Sequence, residues 1–248
     1  LEERFGFPLV ELWGMTEIVR VFTVNQTPRK VGTRAFGRPA LGLEVQVVDP
    51  LGQPVPSGQQ GEMRVRHSAQ TPRKDFFSGY LNDPEATEKA WRDGWFHTGD
   101  RVYQDAEDGM LHFVDRDKNI IRRSGENIAA AEVEALLLTH EAVRQVAVMA
   151  VKDPIREAEV LACIELKDEI AMTILQGSEA ERLALAHEIF DFCHKQLAYY
   201  KAPGWIWFTA QIPTTGTQKI QKHLIFDAQI NDPTQLKGMI DLRDLKKR

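Results

Sequence analysis

The stretch Ile212–Lys222, "IPTTGTQKIQK", sets three threonines and a glycine ahead of Lys219, and Lys222 closes it. An ammonium on a hydroxyl- and glycine-rich loop suits phosphate oxygens, but the same composition makes an ordinary polar loop. It is not a Walker-type cradle, because GxxxxGK[ST] is absent and no strand feeds the run into an adequate helix. "WGMTE" brings Trp13, Gly14, Thr16 and Glu17 together after an apolar run. A flat ring, a hydroxyl and a carboxylate at a strand end suit base stacking, a phosphate contact and Mg²⁺. A turn in which Thr16 caps a helix would use the same residues. "WFHTGD" ends in Asp100, whose carboxylate is able to accept both hydroxyls of a ribose. Gly-Asp is also common turn chemistry, and His97 reads as a hydrogen-bonded structural residue. "VDRDKNIIRRSGENI" packs Arg116, Lys118, Arg122 and Arg123 around Gly125. Arginine forks onto ribose or phosphate oxygens, and glycine admits a ligand close to backbone; a solvated interdomain loop is the plainer alternative. "SGYLNDPEATEKAW" is explained by Asn82 or Asp83 capping a short helix and receives no catalytic role. No Cys/His spacing fits zinc, and no nucleophile elbow is present.

These side chains need elements to hold them. Up to Arg116 the chain reads mostly as β. "LEVQVVDP" alternates with Leu43, Val45 and Val47 on one face, and "EMRVRH" and "GMLHFVDR" follow as strands. Between the first two, "LGQPVPSGQQG" makes tight connections. "PEATEKAW" reads as a short helix. Beyond Arg116, "AAAEVEALLLTH" has helical spacing, while "VRQVAVMAV", "EVLACIELK" and "GWIWF" read as strands. A helix is expected from Ser178 to Tyr200, with Leu183, Ala186, Phe190, Cys193 and Leu197 as its stripe and Ser178 and Glu181 as a capping box. The order helix–strand–strand–helix–strand predicts a small α+β domain, with a boundary near "DRDKN" that separates residues 1–117 from 118–248.

Composition narrows the class. With 43% hydrophobic and 27% charged residues among 248, the chain has the balance of a soluble globular protein. A net charge of -5 gives no general pull toward nucleic acid. Cys163 and Cys193 sit among apolar residues, which suits buried thiols in a reducing compartment and points to the cytoplasm. No apolar run approaches the ~20 residues of a membrane span. The start lacks both an initiator methionine and a signal-peptide layout, as if cut from something longer.

Taken in order, "WGMTE", "GRP" at Gly37–Pro39, "GE" at Gly61–Glu62, "GY", "WFHTGD", "DRDKN", "GENIAAAEVE", "YYKAP" and "PTTGTQKIQK" resemble the AMP-forming acyl-CoA synthetases and other adenylate-forming enzymes. The resemblance runs from about residue 9 to 225. Its wording is nearest to fatty-acyl-CoA and carnitine/crotonobetaine-CoA ligase-like members. It implies an α+β fold: a β-rich, distorted-barrel subdomain ending the large AMP-binding domain, then a small mobile domain. It implies that a carboxylic acid attacks ATP to give an acyl-adenylate and pyrophosphate, and that coenzyme A then displaces AMP. Trp13, where the family usually has tyrosine, would stack adenine, with Gly14 beside it. Thr16 would contact phosphate and Glu17 would hold Mg²⁺. Asp100 would bind both ribose hydroxyls, and Arg116 would help hold the ribose or phosphate. Lys118 would be the hinge, Gly125 would line the pantetheine tunnel, and Lys219 would be the catalytic lysine on a moving loop. Lys222 then matches the trailing basic residue of the motif. Where the family usually has glycine before that lysine, this chain has Gln218. The family's upstream phosphate loop is not in the sequence, so the chain is expected to be the C-terminal portion of an enzyme whose N-terminal half is missing here. A carrier-protein phosphopantetheine acceptor, a luciferase-type oxidation and a non-catalytic AMP-binding module are the alternatives.

Overall fold

Val45 and Val47, then Met63 and Val65, alternate with polar residues, and the two runs become neighbouring antiparallel strands in which Val45 faces Val65 and Val47 faces Met63. That register puts the apolar side chains on one face, the condition for a half-buried sheet. The computed structural model describes residues 2–18, 30–230 and 232–246. It divides into two units between Lys118 and Asn119.

The first unit contains α1 (Glu2–Phe5), β1 (Ala35–Gly37), β2 (Glu44–Val48), β3 (Gly61–Arg66), α2 (Pro84–Ala90), β4 (Trp91–Arg92), β5 (Trp95–Gln104) and β6 (Leu111–Arg116). Its sheet runs β1-β6-β5-β3-β2, with β4 on β5. Phe36, Met63, Val65, Phe96, Val102 and Leu111 form the heart of its core. Asp83 caps α2 by accepting from the Ala86 amide at 2.9 Å. The distorted barrel is an open sheet: β1 and β2 end the path, and no pairing among the described residues joins them. One expectation is corrected: residues 8–15 form no strand; a helix capped by Thr16 would run into residues 19–29, which lie outside the described residues. A strand needs a neighbour for its backbone groups, and none is assigned beside Phe7, Leu9, Val10 and Leu12, which stand 44–60% exposed.

The second unit contains β7 (Ile120–Arg123), β8 (Glu126–Ala129), α3 (Ala130–Leu137), β9 (Val143–Asp153), β10 (Glu157–Leu166), α4 (Asp168–Gln176), α5 (Glu179–Gln196), β11 (Trp205–Thr209) and β12 (Met239–Asp241). The sheet order is β12-β11-β10-β7-β8, with β9 on the other pairing of β10. The strand β10 is buried on both faces. Val160, Ala162 and Ile164 pack with Val133, Leu137, Ile189 and Phe190 of the helices. Leu161 and Cys163 pack with Ile212, Trp207, Ile220 and Phe226. Two-sided burial is why "EVLACIELK" reads as a nearly unbroken apolar run. The tail segment 212–226 therefore covers the face opposite the helices.

The helix α5 begins on the expected capping box: Ser178 and Glu181 exchange bonds, with the Glu181 amide to Ser178 Oγ at 3.2 Å and the Ser178 amide to Glu181 Oε2 at 2.7 Å. It stops at Gln196, short of Tyr200, because Leu197 turns to extended backbone. Leu183 of the expected stripe faces outward, and Ile189 takes a core place instead. Both cysteines are buried and free, and burial pushes each thiol up to about 12. No helix among the described residues is long and apolar enough to cross a membrane.

Candidate functional site

In the first unit, the pairing of β5 with β6 sets Asp100 opposite Arg116. The Arg116 Nε lies 2.7 Å from Asp100 Oδ1. It sits off the line of a hydrogen bond, so Oδ1 carries an ion pair and no aligned donor. The other oxygen, Oδ2, accepts the Trp13 indole N–H at 2.7 Å. Burial pushes the Asp100 carboxyl above the usual carboxylate range. The Trp13 bond and Arg116 charge oppose this, and Asp117 and Asp115 add to it. The middle of β5 is fixed beside Asp100: Thr98 Oγ1 donates to the Met63 carbonyl at 2.6 Å and accepts the Asp100 amide at 3.1 Å. His97 pairs with Glu62 at 2.8 Å. Burial raises the Glu62 carboxyl, but the His97 bond and charge, the Gly99 amide and Arg92 outweigh it, leaving it below the ordinary range. Trp13 is itself buried, tilted against Phe36, and lines a cavity of about 310 Å³ with Arg34, Phe36 and Phe113.

Gly14 and Thr16 are exposed, and open space surrounds Gly14. Glu17 is half-buried, and its Oε1 accepts the Tyr80 hydroxyl at 3.0 Å. Its backbone carbonyl accepts the Phe77 amide at 2.9 Å. Sequence reasoning gave Tyr80 no role; the contact spans 63 positions, and no local pattern announces it. No cluster of three or more His, Cys, Asp or Glu able to hold a metal occurs among the described residues. Among the described residues Tyr80 is the side chain that bonds Glu17, through Oε1. No hydrogen bond or ion pair among the described residues joins Thr16 or Glu17 to Asp100.

In the second unit, Lys219 stands on a closed turn. The Gln218 amide donates to the Thr215 carbonyl at 2.9 Å, the Thr215 amide to the Lys219 carbonyl at 2.8 Å, and the Lys219 amide to Thr215 Oγ1 at 3.1 Å. Its ammonium is exposed and has no partner among the described residues. The Lys222 ammonium is engaged, donating to the Val148 carbonyl at 2.7 Å and pairing with Glu134 at 2.7 Å. The two lysines of the motif are thus unequal: one is tied down and one is free.

The stretch read as a possible solvated loop is instead a hairpin, with Arg123 opposite Glu126. Ser124 and Gly125 form its tip at φ 51° and 83°, the two positive angles of a type I′ turn. Gly125 is exposed, while Arg123 is buried and donates to Glu159 Oε2 at 2.8 Å. Lys246 closes this network by donating to Glu159 Oε1 at 2.6 Å and to the Tyr200 carbonyl at 3.0 Å. Burial pushes the Lys246 ammonium down to about 8 against the pull of Glu159. Lys118 is exposed in the short 3₁₀ turn Asp117–Asn119.

Two family profiles match the chain: AMP-binding enzyme over residues 1–81, and AMP-binding enzyme C-terminal domain over residues 132–219. A crotonobetaine/carnitine–CoA ligase of Proteus mirabilis is 37% identical over 224 residues, 90% of this chain and 40% of the relative. A probable CoA ligase of Humulus lupulus, CCL9, is 36% identical over 236 residues, 93% of this chain and 41% of the relative. The chain thus spans about 40% of the length of the curated relatives it matches. Among solved structures, o-succinylbenzoate-CoA synthetase of Bacillus subtilis with its acyl-adenylate intermediate aligns with TM-score 0.71 at 27% identity, covering 92% of this chain and 43% of that one. The anthranilate-CoA ligase AuaEII with anthranoyl-AMP aligns with TM-score 0.71 at 31% identity, covering 90% and 40%. With both profiles in order and CoA ligases on either side of the comparison, the chain belongs to the adenylate-forming family of AMP-binding enzymes, that of the AMP-forming acyl-CoA synthetases.

Proposed function

We propose that this chain is the C-terminal portion of an ATP-dependent acid–thiol ligase working in the cytoplasm. A carboxylate oxygen of the acid attacks the α-phosphorus of ATP and pyrophosphate leaves. The thiol of coenzyme A then attacks the acyl carbon, its proton is released, and AMP leaves. Trp13, with Gly14 beside it, lies against the adenine. Asp100 and Arg116 hold the ribose, Asp100 through the oxygen that no aligned donor occupies. Thr16 contacts the α-phosphate. Glu17, oriented by Tyr80, holds Mg²⁺, which would neutralise phosphate charge when bound.

The observation that carries this reading is the free ammonium of Lys219 on an anchored turn beside the engaged Lys222. Adenylation gathers charge on the α-phosphoryl oxygens, and a compact cation held there stabilises the transition state more than the separated reactants. The turn is closed and its flanks are anchored, so Lys219 moves with its whole unit. Lys118 is the hinge of that motion, dividing residues 1–117 of the large domain from the mobile domain 118–248. Gly125 then lines the route of the pantetheine arm.

The test is Lys219→Ala in the full-length enzyme, read by ATP–pyrophosphate exchange over a panel of carboxylic acids. A loss of about 10²–10³ in rate is expected, with the melting temperature unchanged because the side chain is exposed. Undiminished exchange would sink the reading. Product analysis with coenzyme A, a phosphopantetheinyl carrier and an amine separates the acceptors; the amine arm is included because an amide bond synthetase of Marinactinospora thermotolerans is also similar, with TM-score 0.67 at 31% identity over 90% of this chain and 42% of that one.

A further inference from the structure

Lys222 and Glu134 do something that their places in the sequence do not suggest. The Val148 amide donates to Glu134 Oε1 at 2.8 Å. The Val148 carbonyl accepts the Lys222 ammonium at 2.7 Å, and Lys222 and Glu134 pair at 2.7 Å. Two side chains from two segments thereby satisfy both backbone groups of one residue of β9. The strand β9 pairs with β10, and no other strand is paired to it among the described residues. The ion pair supplies at Val148 the donor and acceptor that a neighbouring strand would supply, which closes an open edge. It also ties the segment bearing Lys219 to α3 and β9. A second tether lies before the turn, where the Ile212 amide donates to Glu165 Oε2 at 2.8 Å. Between the tethers the turn is closed by the bridge of Thr214 to Ile220, and Ile220 packs against the sheet.

We propose that Lys222 and Glu134 form a clamp that positions Lys219 for adenylation. The inference rests on the proposed function. Lys222 never approaches the reacting atoms; it is a positioning residue. A cation acts on a transition state only from the right place, and a displacement of about 1 Å by a remote change is able to slow a reaction by about 10²-fold. Releasing the clamp removes the polar anchor of the C-terminal flank, leaving it to the apolar contacts of Ile220, Ile225 and Phe226, while the Glu165 tether still holds the other flank. Lys219 then keeps its charge and loses its fixed approach.

Exchange and thioester formation are to be measured in the full-length enzyme for Lys219→Ala, Lys222→Met, Lys222→Arg and Glu134→Gln, the second step started from supplied acyl-adenylate. The clamp predicts that Lys222→Met lowers kcat for exchange by about 10–100-fold, leaves KM for ATP and acid unchanged, and spares thioester formation. Lys222→Arg recovers most of the rate, because a guanidinium reaches both the carbonyl and the carboxylate. Unchanged exchange in Lys222→Met, with Lys219→Ala still impaired, overturns the inference alone. So does a parallel fall of both half-reactions with a lowered melting temperature, which is the signature of a structural pair. Undiminished exchange in Lys219→Ala overturns the functional reading and the clamp with it. If Lys222→Met fails to fold, Glu134→Gln decides: it keeps an acceptor for the Val148 amide and loses the ion pair. Slower exchange at an unchanged melting temperature then supports the clamp, and unchanged exchange overturns it.

Discussion

Asp100 in the first unit and Glu159 in the second are both sealed carboxylates, 1% and 0% exposed, and each faces an arginine. Their surroundings differ in kind. Glu159 has Arg123 and Lys246, both buried, and the Val160 amide at 2.8 Å, so both of its oxygens are engaged by well-placed donors. Gly204 lies so close that an added Cβ would come within 2.5 Å of the Glu159 side chain. Asp100 has one aligned donor, Trp13, and an arginine whose side chain is 42% exposed. A buried carboxylate with every acceptor filled pins a fold. One left short of donors is costly to the fold, and such groups concentrate where a ligand completes them. The contrast sets a structural network against the carboxylate that we propose binds the ribose.

The largest test of that contrast is Glu159→Gln. It leaves Arg123 and Lys246 buried without their counter-charge, and removing one partner of a buried ion pair typically costs about 3–5 kcal/mol. Urea unfolding of the second unit's signal should register the whole loss. A change below about 1 kcal/mol would mean that the two cations are not held by this carboxylate. Gly204→Ala should damage the same network through close contact, by about 1–3 kcal/mol.

Asp100→Asn should behave in the opposite way. The amide oxygen still accepts from Trp13, and a buried charge disappears. Because its folded carboxyl titrates above the usual range, the folded protein holds that proton to higher pH than the unfolded chain. Stability from this group is therefore present at low pH and lost as pH rises through about 3.9 and then the raised value. At neutral pH the substitution should leave stability unchanged or raise it, and the gain should vanish in acid. Nucleotide affinity of the full-length enzyme should fall by about 10–100-fold, the worth of hydrogen bonds to a charged group. A stability loss as large as that of Glu159→Gln would erase the distinction between the two carboxylates.

What the sequence showed and what it hid follow the same division. The short-range features were legible: the capping box at Ser178, the Asp83 cap and the alternating strands β2 and β3 each lie within a few positions of the residues that cause them. The candidate residues were legible as an ordered set of motifs. The contacts that sort them were not, because Trp13 meets Asp100 across 87 positions, Lys246 meets Glu159 across 87 and Lys222 meets Val148 across 74. The helix α4 was missed for another reason. Its apolar residues Ile170, Ala171, Ile174 and Leu175 are only half-buried, its N-terminus carries no side-chain cap, and its other end is closed by Arg182, which donates to the Gly177 carbonyl at 2.7 Å from outside the helix. The hairpin of β7 and β8 was masked by its own charges, since Arg123 looks like a surface residue until Glu159 is found beneath it.

The smallest effect concerns the turn of Lys219, where the family's usual glycine is replaced. Gln218 holds φ at 63°, in the left-handed region, so the backbone keeps the conformation that a glycine would adopt freely. Gly216, two positions earlier, has no such angle, and a Cβ there would meet open space. The glycine of this loop therefore stands at a position that does not require it, and the position that favours one has glutamine. Left-handed backbone costs a side-chain-bearing residue roughly 1–2 kcal/mol, and the extra freedom of glycine in the unfolded chain returns part of that. Gln218→Gly should stabilise the second unit by about 0.5–1 kcal/mol, and Gly216→Ala should be neutral to slightly stabilising, both read by thermal unfolding. The free ammonium lies outside this balance, so pyrophosphate exchange in the full-length enzyme should stay within about twofold of the parent for both variants. That limit follows because a twofold change corresponds to only about 0.4 kcal/mol in the barrier. A rate change beyond it would mean that the strained glutamine itself aims Lys219, and the anchoring now assigned to the flanks would have to be shared with the turn.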